Sequence, residues 1–133
     1  MGYLNLLRVT YATLRDKYAQ SEWFVSRNPG YYAGRATFGI VVWHGVSVLL
    51  LIHWLFPGAF SEVSKAAFIG IFLGVFLAAH LWVVAYVENE NAQRAVREVI
   101  SRESSADAAA RYRKVASFSW ASTAAFLLVL FVS

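Results

Sequence analysis

Two histidines inside long uncharged stretches are the residues with the most chemical promise in this chain. His44 and His80 each lie in a run that contains no Asp, Glu, Lys or Arg. Ionisable side chains are costly in lipid and indicate a functional role by default. At 1.5 Å per residue, both imidazoles lie roughly 10 to 12 Å inside their runs. Two imidazoles at one level on adjacent antiparallel helices suit axial ligation of haem b, and a single one suits a chlorophyll-type pigment or a quinone.

The sequence predicts the level of each ring but not its direction, so a structural role stays open. Either histidine can instead form a hydrogen bond with a backbone carbonyl or with a hydroxyl such as that of Ser47. His53, beside Trp54, faces nearly the opposite side of its helix from His44 and is expected at the interface. We therefore take His44 and His80 as candidate haem or pigment ligands. The pattern contains no catalytic triad, glycine-rich phosphate loop or cysteine, and we expect no metal site.

Three long apolar runs must position these side chains. The runs are Ala36 to Phe56, Ala66 to Val87 and Val115 to Val132. Each is about as long as the hydrocarbon core of a bilayer requires. Hydrophobic residues make up 59% of the chain and charged residues only 15%, against about a quarter in soluble domains. We predict an all-α integral membrane protein, a single domain of three transmembrane helices at 36–56, 66–87 and 115–132.

The basic residues are confined to the segments that flank the runs. Five precede the first run, six lie at 88–114 between the second and third, and only Lys65 lies in the short link between the first two. The positive-inside rule then places residues 1–35 and 88–114 in the cytoplasm and the C-terminus outside. We expect the cytoplasmic membrane of a bacterium or archaeon, with lipid head groups rather than nucleic acid as partners of the basic residues.

The segments outside the runs also have helical patterns. One apolar stripe predicts an amphipathic N-terminal helix that either lies in the lipid interface or docks a partner subunit. The stripe consists of Leu4, Leu7, Tyr11, Leu14 and Tyr18. Helical periodicity also continues past the second run to Ile100, which predicts that this helix extends into the cytoplasm. Ser104 and Asp107 then have the spacing of a capping box, and we expect the third helix to begin near Ser105.

Small residues recur every fourth position in two of the runs. Ala66, Gly70, Gly74 and Ala78 form one ladder, and Ser117, Ala121 and Ala125 form a second. Small residues let two helix backbones approach closely in lipid. The ladders therefore predict helix packing, either within the chain or against another subunit. Hydroxyl groups in the third run, such as Ser122, can bond to their own helix or bridge to a neighbour.

The layout resembles the small three-span membrane anchors of succinate dehydrogenase and fumarate reductase. The length is similar, a long N-terminal arm precedes the spans, and a histidine ends the stretch Leu77-Ala78-Ala79-His80 of the second run. The resemblance implies a subunit that docks an iron–sulfur partner on the cytoplasmic side and helps to hold quinone or haem b, with His80 as the first candidate. We therefore expect an accessory or anchor subunit of a larger membrane complex, of respiratory or other redox type, that serves electron transport.

The chain also resembles prokaryotic diacylglycerol kinase, which has an amphipathic helix and three spans. The stretch 87–91 is similar to the Glu-x-x-Asn element of that family, in which Glu88 and Asn91 would hold a metal–nucleotide complex. Ala95 and Val115 stand where that family has carboxylates, so catalysis by the chain itself is not expected. A lipid kinase and a purely structural subunit without a cofactor are the two alternatives.

Overall fold

The computed structural model describes residues 2–132 and is built from helices. The five α-helices are α1 (Tyr3–Ala19), α2 (Pro29–Leu55), α3 (Lys65–Tyr86), α4 (Glu90–Ser101) and α5 (Ser105–Val132). A short 3-10 helix at Phe24–Arg27 joins α1 to α2. No strand occurs in residues 2–132, which confirms the all-α prediction. The helices α2, α3 and α5 are each long and apolar enough to cross a membrane.

Two helix starts follow local capping chemistry, that of α2, which begins seven residues before the predicted span at 36–56, and that of α5. Asn28 accepts a hydrogen bond from the backbone N–H of Tyr31 at 3.3 Å, and Pro29 occupies the first turn of α2. Ser104 accepts a hydrogen bond from the N–H of Asp107 at 3.2 Å and donates to its carboxylate at 2.9 Å. The predicted start of the third long helix near residue 105 is confirmed, because this cap fixes it.

The prediction that the second long helix continues into the cytoplasm was wrong. α3 ends at Tyr86, and α4 begins at Glu90 as a separate helix after three intervening residues. Asn89 caps α4 by accepting from the N–H of Asn91 at 2.9 Å, and the amide of Gln93 donates to the carbonyl of Val87 at 2.7 Å. These side chains satisfy backbone groups that a continuous helix would pair, so the break costs little. Periodicity misses it because α4 resumes the same apolar pattern.

The apolar stripe of α1 packs inside the chain. Leu7 and Tyr11 belong to the buried core, and Leu4, Leu14 and Tyr18 pack against it. The chain's own helices therefore bury the centre of the stripe and partly cover its ends, which favours a packing role within the chain over the two expected roles. A single stripe looks the same in sequence whether lipid or protein covers it, because both are apolar.

Side-chain hydrogen bonds fix α1 to the ends of α3 and α4. Arg8 donates from Nε to the backbone carbonyl of Tyr86 at 2.8 Å. The amide of Gln93, which is 2% exposed, donates to the carbonyl of Arg8 at 3.2 Å. The bond from Arg8 satisfies the carbonyl of Tyr86, the last residue of α3, which has no partner within that helix.

A largely buried ion pair fixes α1 to α5. Arg111 donates from Nε to the carboxylate of Glu103 at 3.0 Å, and the two side chains are only 10% and 15% exposed. The same guanidinium donates from Nη1 to the hydroxyl of Thr13 at 2.6 Å. One arginine therefore joins the α4–α5 connection to the middle of α1.

The central helix is α2, with α1 and α5 on one side and α3 on the other. Tyr3 contacts His44 while Tyr11 lies beside Gly30, so α1 runs antiparallel to α2. Of the residues in α3, only Val83 is buried. Most large apolar side chains of α3 are exposed, among them Ile69, Ile71, Leu73, Leu77 and Leu81. The buried core thus lies among α1, α2 and α5 and at the last turn of α3.

Candidate functional site

His44 joins three helices through its two ring nitrogens. Nδ1 lies 2.7 Å from the hydroxyl of Tyr3 on α1, and Nε2 lies 2.9 Å from Oγ of Ser122 on α5. Its ring also packs against Phe118, with the centroids 5.8 Å apart. The predicted ability of Ser122 to bridge to a neighbouring helix is confirmed. The hydroxyl partners of His44 are thus Tyr3 and Ser122.

The direction of each bond in this group follows from the number of hydrogens. Ser122 also lies 2.8 Å from the backbone carbonyl of Phe118, and only the hydroxyl can donate there. Because a hydroxyl has one hydrogen, Ser122 must accept from Nε2–H of His44. Nδ1 is then the acceptor, and the hydroxyl of Tyr3 donates to it. Both nitrogens are occupied, so ligation of a metal by His44 would require the bond to Tyr3 to break.

His80 lies in a different environment. Its ring packs edge-on against Phe38, with the centroids 5.5 Å apart, and its nitrogens form no hydrogen bond with any residue between 2 and 132. Phe38 also contacts Phe76, so this part of α2 is level with residues 76–80 of α3. His44 lies six residues, about 9 Å, further along α2. The structure therefore does not bring the two histidines together, and they share no neighbour that could hold a haem between them.

The equal depth expected for His44 and His80 does not hold because the two helices are offset along their axes. Counting from the ends of the apolar runs treats those ends as level. In the structure, α2 begins at Pro29, seven residues before its uncharged run, and α3 ends at Tyr86, one residue before the end of its own run. The packing of Phe38 between Phe76 and His80 sets the actual offset.

Glu88, just beyond α3, lies against the backbone of α2. Its carboxylate occupies the space where a side chain at Gly34 would be, and a Cβ there would clash with Oε1. Burial raises the pKa of Glu88, while the nearby charges of His80 and Arg35 act to lower it. Within residues 2–132 the carboxylate forms no hydrogen bond or ion pair. It is therefore a half-buried acid whose neutral form the surroundings favour.

The residues that resemble the kinase element lie in the connection between α3 and α4 and at the start of α4. Asn91 lies at the exposed start of α4. Glu90 is paired with Arg97 at 2.6 Å, and that bond lowers the pKa of Glu90. In the described part of the chain, no three His, Cys, Asp or Glu side chains are grouped to hold a metal ion. Glu88 thus belongs to no such group of three.

Both small-residue ladders face outward. Ala66, Gly70, Gly74 and Ala78 of α3 are all exposed, as are Ser117, Ala121 and Ala125 of α5. A Cβ added at Gly70 or Gly74 would meet nothing within 4 Å. At 100° per residue, Gly74 lies about 160° around α3 from Phe76, which contacts α2. Of the two packing alternatives, packing within the chain does not occur in this structure.

The tryptophans beside the histidines have ordinary helix contacts. Trp43 stacks on Phe126 of α5, with centroids 6.1 Å apart and planes 16° apart. Trp82 packs near Tyr86 of its own helix, with centroids 6.0 Å apart. Trp43 therefore contributes to the α2–α5 contact and does not face a space between α2 and α3.

Tyr3 was not predicted as the partner of His44, although the sequence contains a signal for it. Tyr3 precedes Leu7 and Tyr11 at intervals of four, so it extends the apolar stripe by one turn. A tyrosine at the end of a buried stripe carries a hydroxyl that needs a partner.

Comparisons with known proteins assign the chain to no family. No protein-family model matches it, and neither a curated protein nor a solved structure is significantly similar to it. The two resemblances stated above stay predictions, and the interpretation of the site depends on its geometry.

Proposed function

We propose that this chain is an accessory subunit of a larger membrane complex and that it binds a neighbouring transmembrane helix along the ladder on α3. The observation that carries the proposal is the outward position of Ala66, Gly70, Gly74 and Ala78. In lipid, helices associate through close backbone packing, and small residues at every fourth position permit it. The chain itself leaves this surface uncovered.

The unequal burial of the three long helices supports the same proposal. α3 packs mainly against α2 and exposes large apolar side chains along the rest of its surface. The second ladder, on α5, offers another place for a helix. By contrast, the stripe of α1 is covered by the chain itself, so α1 is not the docking element.

A redox role, if the complex has one, is assigned to His80 in this proposal. The imidazole is exposed at the surface of the bundle and has no hydrogen-bond partner among residues 2–132. Glu88 lies close enough to interact electrostatically with His80, and Arg35 interacts in the same way with Glu88. A quinone, a haem or a pigment brought by a partner subunit could contact this ring. His44 is assigned a structural role, since both of its nitrogens are occupied.

Native gel electrophoresis of the tagged protein extracted in a mild detergent tests the proposal. The unaltered chain is expected to migrate with larger subunits. Gly74→Leu and Ala78→Leu should release it, because a branched side chain on the ladder keeps two backbones apart. Ala116→Leu is the matched control, since it is exposed and lies about 140° around α5 from Ala121. Migration of the unaltered chain as a monomer or as a self-trimer would contradict the proposal.

The absorption spectrum of the isolated complex tests the role of His80. A Soret band that disappears in His80→Ala but persists in a Tyr3→Phe variant would support ligation at His80. A colourless complex that retains no extractable quinone would leave only the structural subunit without a cofactor. A purified chain that consumes ATP in the presence of lipid would instead support the kinase alternative.

A further inference from the structure

A continuous apolar cleft separates α2 from α3. Its wide part, near the turn that joins the two helices, has a volume of about 390 Å³, and a narrower part of about 110 Å³ continues toward the middle of the helices. Val46, Leu49 and Phe72 line both parts. From Lys65 at the wide end to Ala79 at the narrow end, the cleft follows 14 residues of α3, about 21 Å.

The wide end of the cleft carries positive charge. This charge belongs to Lys65, which lines the cleft at the first position of α3. The ammonium group of Lys65 forms no ion pair or hydrogen bond within residues 2–132. The start of α3 adds the partial positive charge of a helix N-terminus. An unpaired cation thus lies at the mouth of a long apolar space.

We infer that this cleft binds one acyl chain of an anionic phospholipid, with the head-group phosphate at Lys65. The inference uses the membrane location of the chain but not its membership of a complex. The walls are apolar along the whole length, and the charge at the mouth is complementary to a phosphate. A partner helix is 10–12 Å across, which is too thick for the narrow part. An extended acyl chain has the required thickness and length.

Gly45 keeps the narrow part of the cleft open. It lines that part, and a Cβ added there would meet nothing within 4 Å. Gly45→Leu would therefore fill the cleft without displacing backbone atoms. Gly74→Leu, on the opposite side of α3, makes the same change in side-chain size outside the cleft and is the matched control.

Native mass spectrometry of the purified chain, with phosphatidylglycerol or phosphatidylcholine added at equal concentration, tests the inference. We expect one phosphatidylglycerol per chain to be retained, and a loss of that lipid in Gly45→Leu but not in Gly74→Leu. Lys65→Gln should lower the preference for phosphatidylglycerol over phosphatidylcholine about fivefold, the effect of one cation near a lipid surface. Circular dichroism confirms that each variant remains helical.

Three outcomes would overturn the inference. They are equal retention of the two lipids by the unaltered chain, unchanged retention in Gly45→Leu, and displacement of the phospholipid by an isoprenoid quinone. The last would assign the cleft to a neutral redox lipid. The experiment is independent of the proposed function, because Gly45→Leu should leave the migration of the complex unchanged while Gly74→Leu alters it.

Discussion

The two sides of α2 are built differently. On the side of α1 and α5, Tyr3, His44 and Ser122 form a hydrogen-bonded group, and the ion pair of Arg111 with Glu103 is largely buried. On the side of α3, the contacts are apolar and leave a cleft, and most of α3 is exposed. An unpaired polar group is costly in a low-dielectric environment, whereas an apolar surface needs no specific partner. The first side has its partners within the chain, and the second is suited to lipid and to other helices.

The largest expected effect is on the side of α1 and α5. Glu103→Ala leaves the guanidinium of Arg111 without its carboxylate in a position that is 10% exposed, and it should lower the free energy of unfolding by about 3 kcal/mol. The control is Glu98→Ala, which removes an exposed ion pair with Arg102. This variant should change the free energy of unfolding by less than about 1 kcal/mol. Unfolding by SDS in mixed micelles measures both. Equal losses in the two variants would refute the difference in burial on which the comparison depends.

The two histidines give the second test. His44→Leu leaves the hydroxyl of Tyr3 without a partner and leaves Ser122 only its bond to the carbonyl of Phe118, and it should cost about 2 kcal/mol of unfolding free energy. His80→Leu removes no hydrogen bond in the described chain and should change the unfolding free energy by less than about 0.5 kcal/mol. The same SDS titration measures both variants. Tyr3→Phe should cost less in the His44→Leu background than alone, and strict additivity of the two changes would show that the rings do not interact.

Two helical glycines give a matched pair. Gly74→Ala adds a methyl group in open space and should raise the unfolding free energy by up to about 1 kcal/mol through helix propensity. Gly34→Ala displaces the carboxylate of Glu88. Its unfolding free energy should therefore be no higher than that of the unaltered chain. Combining Gly34→Ala with Glu88→Ala should restore the gain, and thermal melting in detergent measures all three variants. A gain of equal size in both single variants would mean that Glu88 moves away without cost.

The smallest expected effect is the pH dependence contributed by Glu88. Because burial raises the pKa of Glu88 in the folded chain, the folded state holds this proton more tightly than the unfolded one. The stability associated with the protonated acid is therefore fully present below the ordinary carboxyl pKa and is lost as the pH rises through the raised value. Glu88→Gln should be more stable than the unaltered chain above that range and lack this dependence. The difference in melting temperature between the two proteins, measured across the pH series, cancels the opposite contribution of Glu90.

The features that the sequence predicts correctly depend on strong local rules. The length of the three uncharged runs predicts the three long helices, and the hydrogen bonds between Ser104 and Asp107 set the start of α5. The partners of His44 were not predictable in this way. They depend on the rotation of α2 about its axis and on a residue 41 positions away in α1. The break before α4 was not predicted, because Gln93 belongs to a helical pattern in the sequence but its side chain donates to the carbonyl of Val87, outside that helix.

The link from Tyr3 through His44 to Ser122 constrains the order of assembly during synthesis. At 5–20 residues per second, Ser122 is made roughly 10 s after Tyr3. Until then His44 lacks the hydroxyl of Ser122, although α1 can already pack its apolar face against α2 and the end of α3. The hydrogen-bonded group is therefore completed last, when the final helix joins a pair of helices that are already in contact.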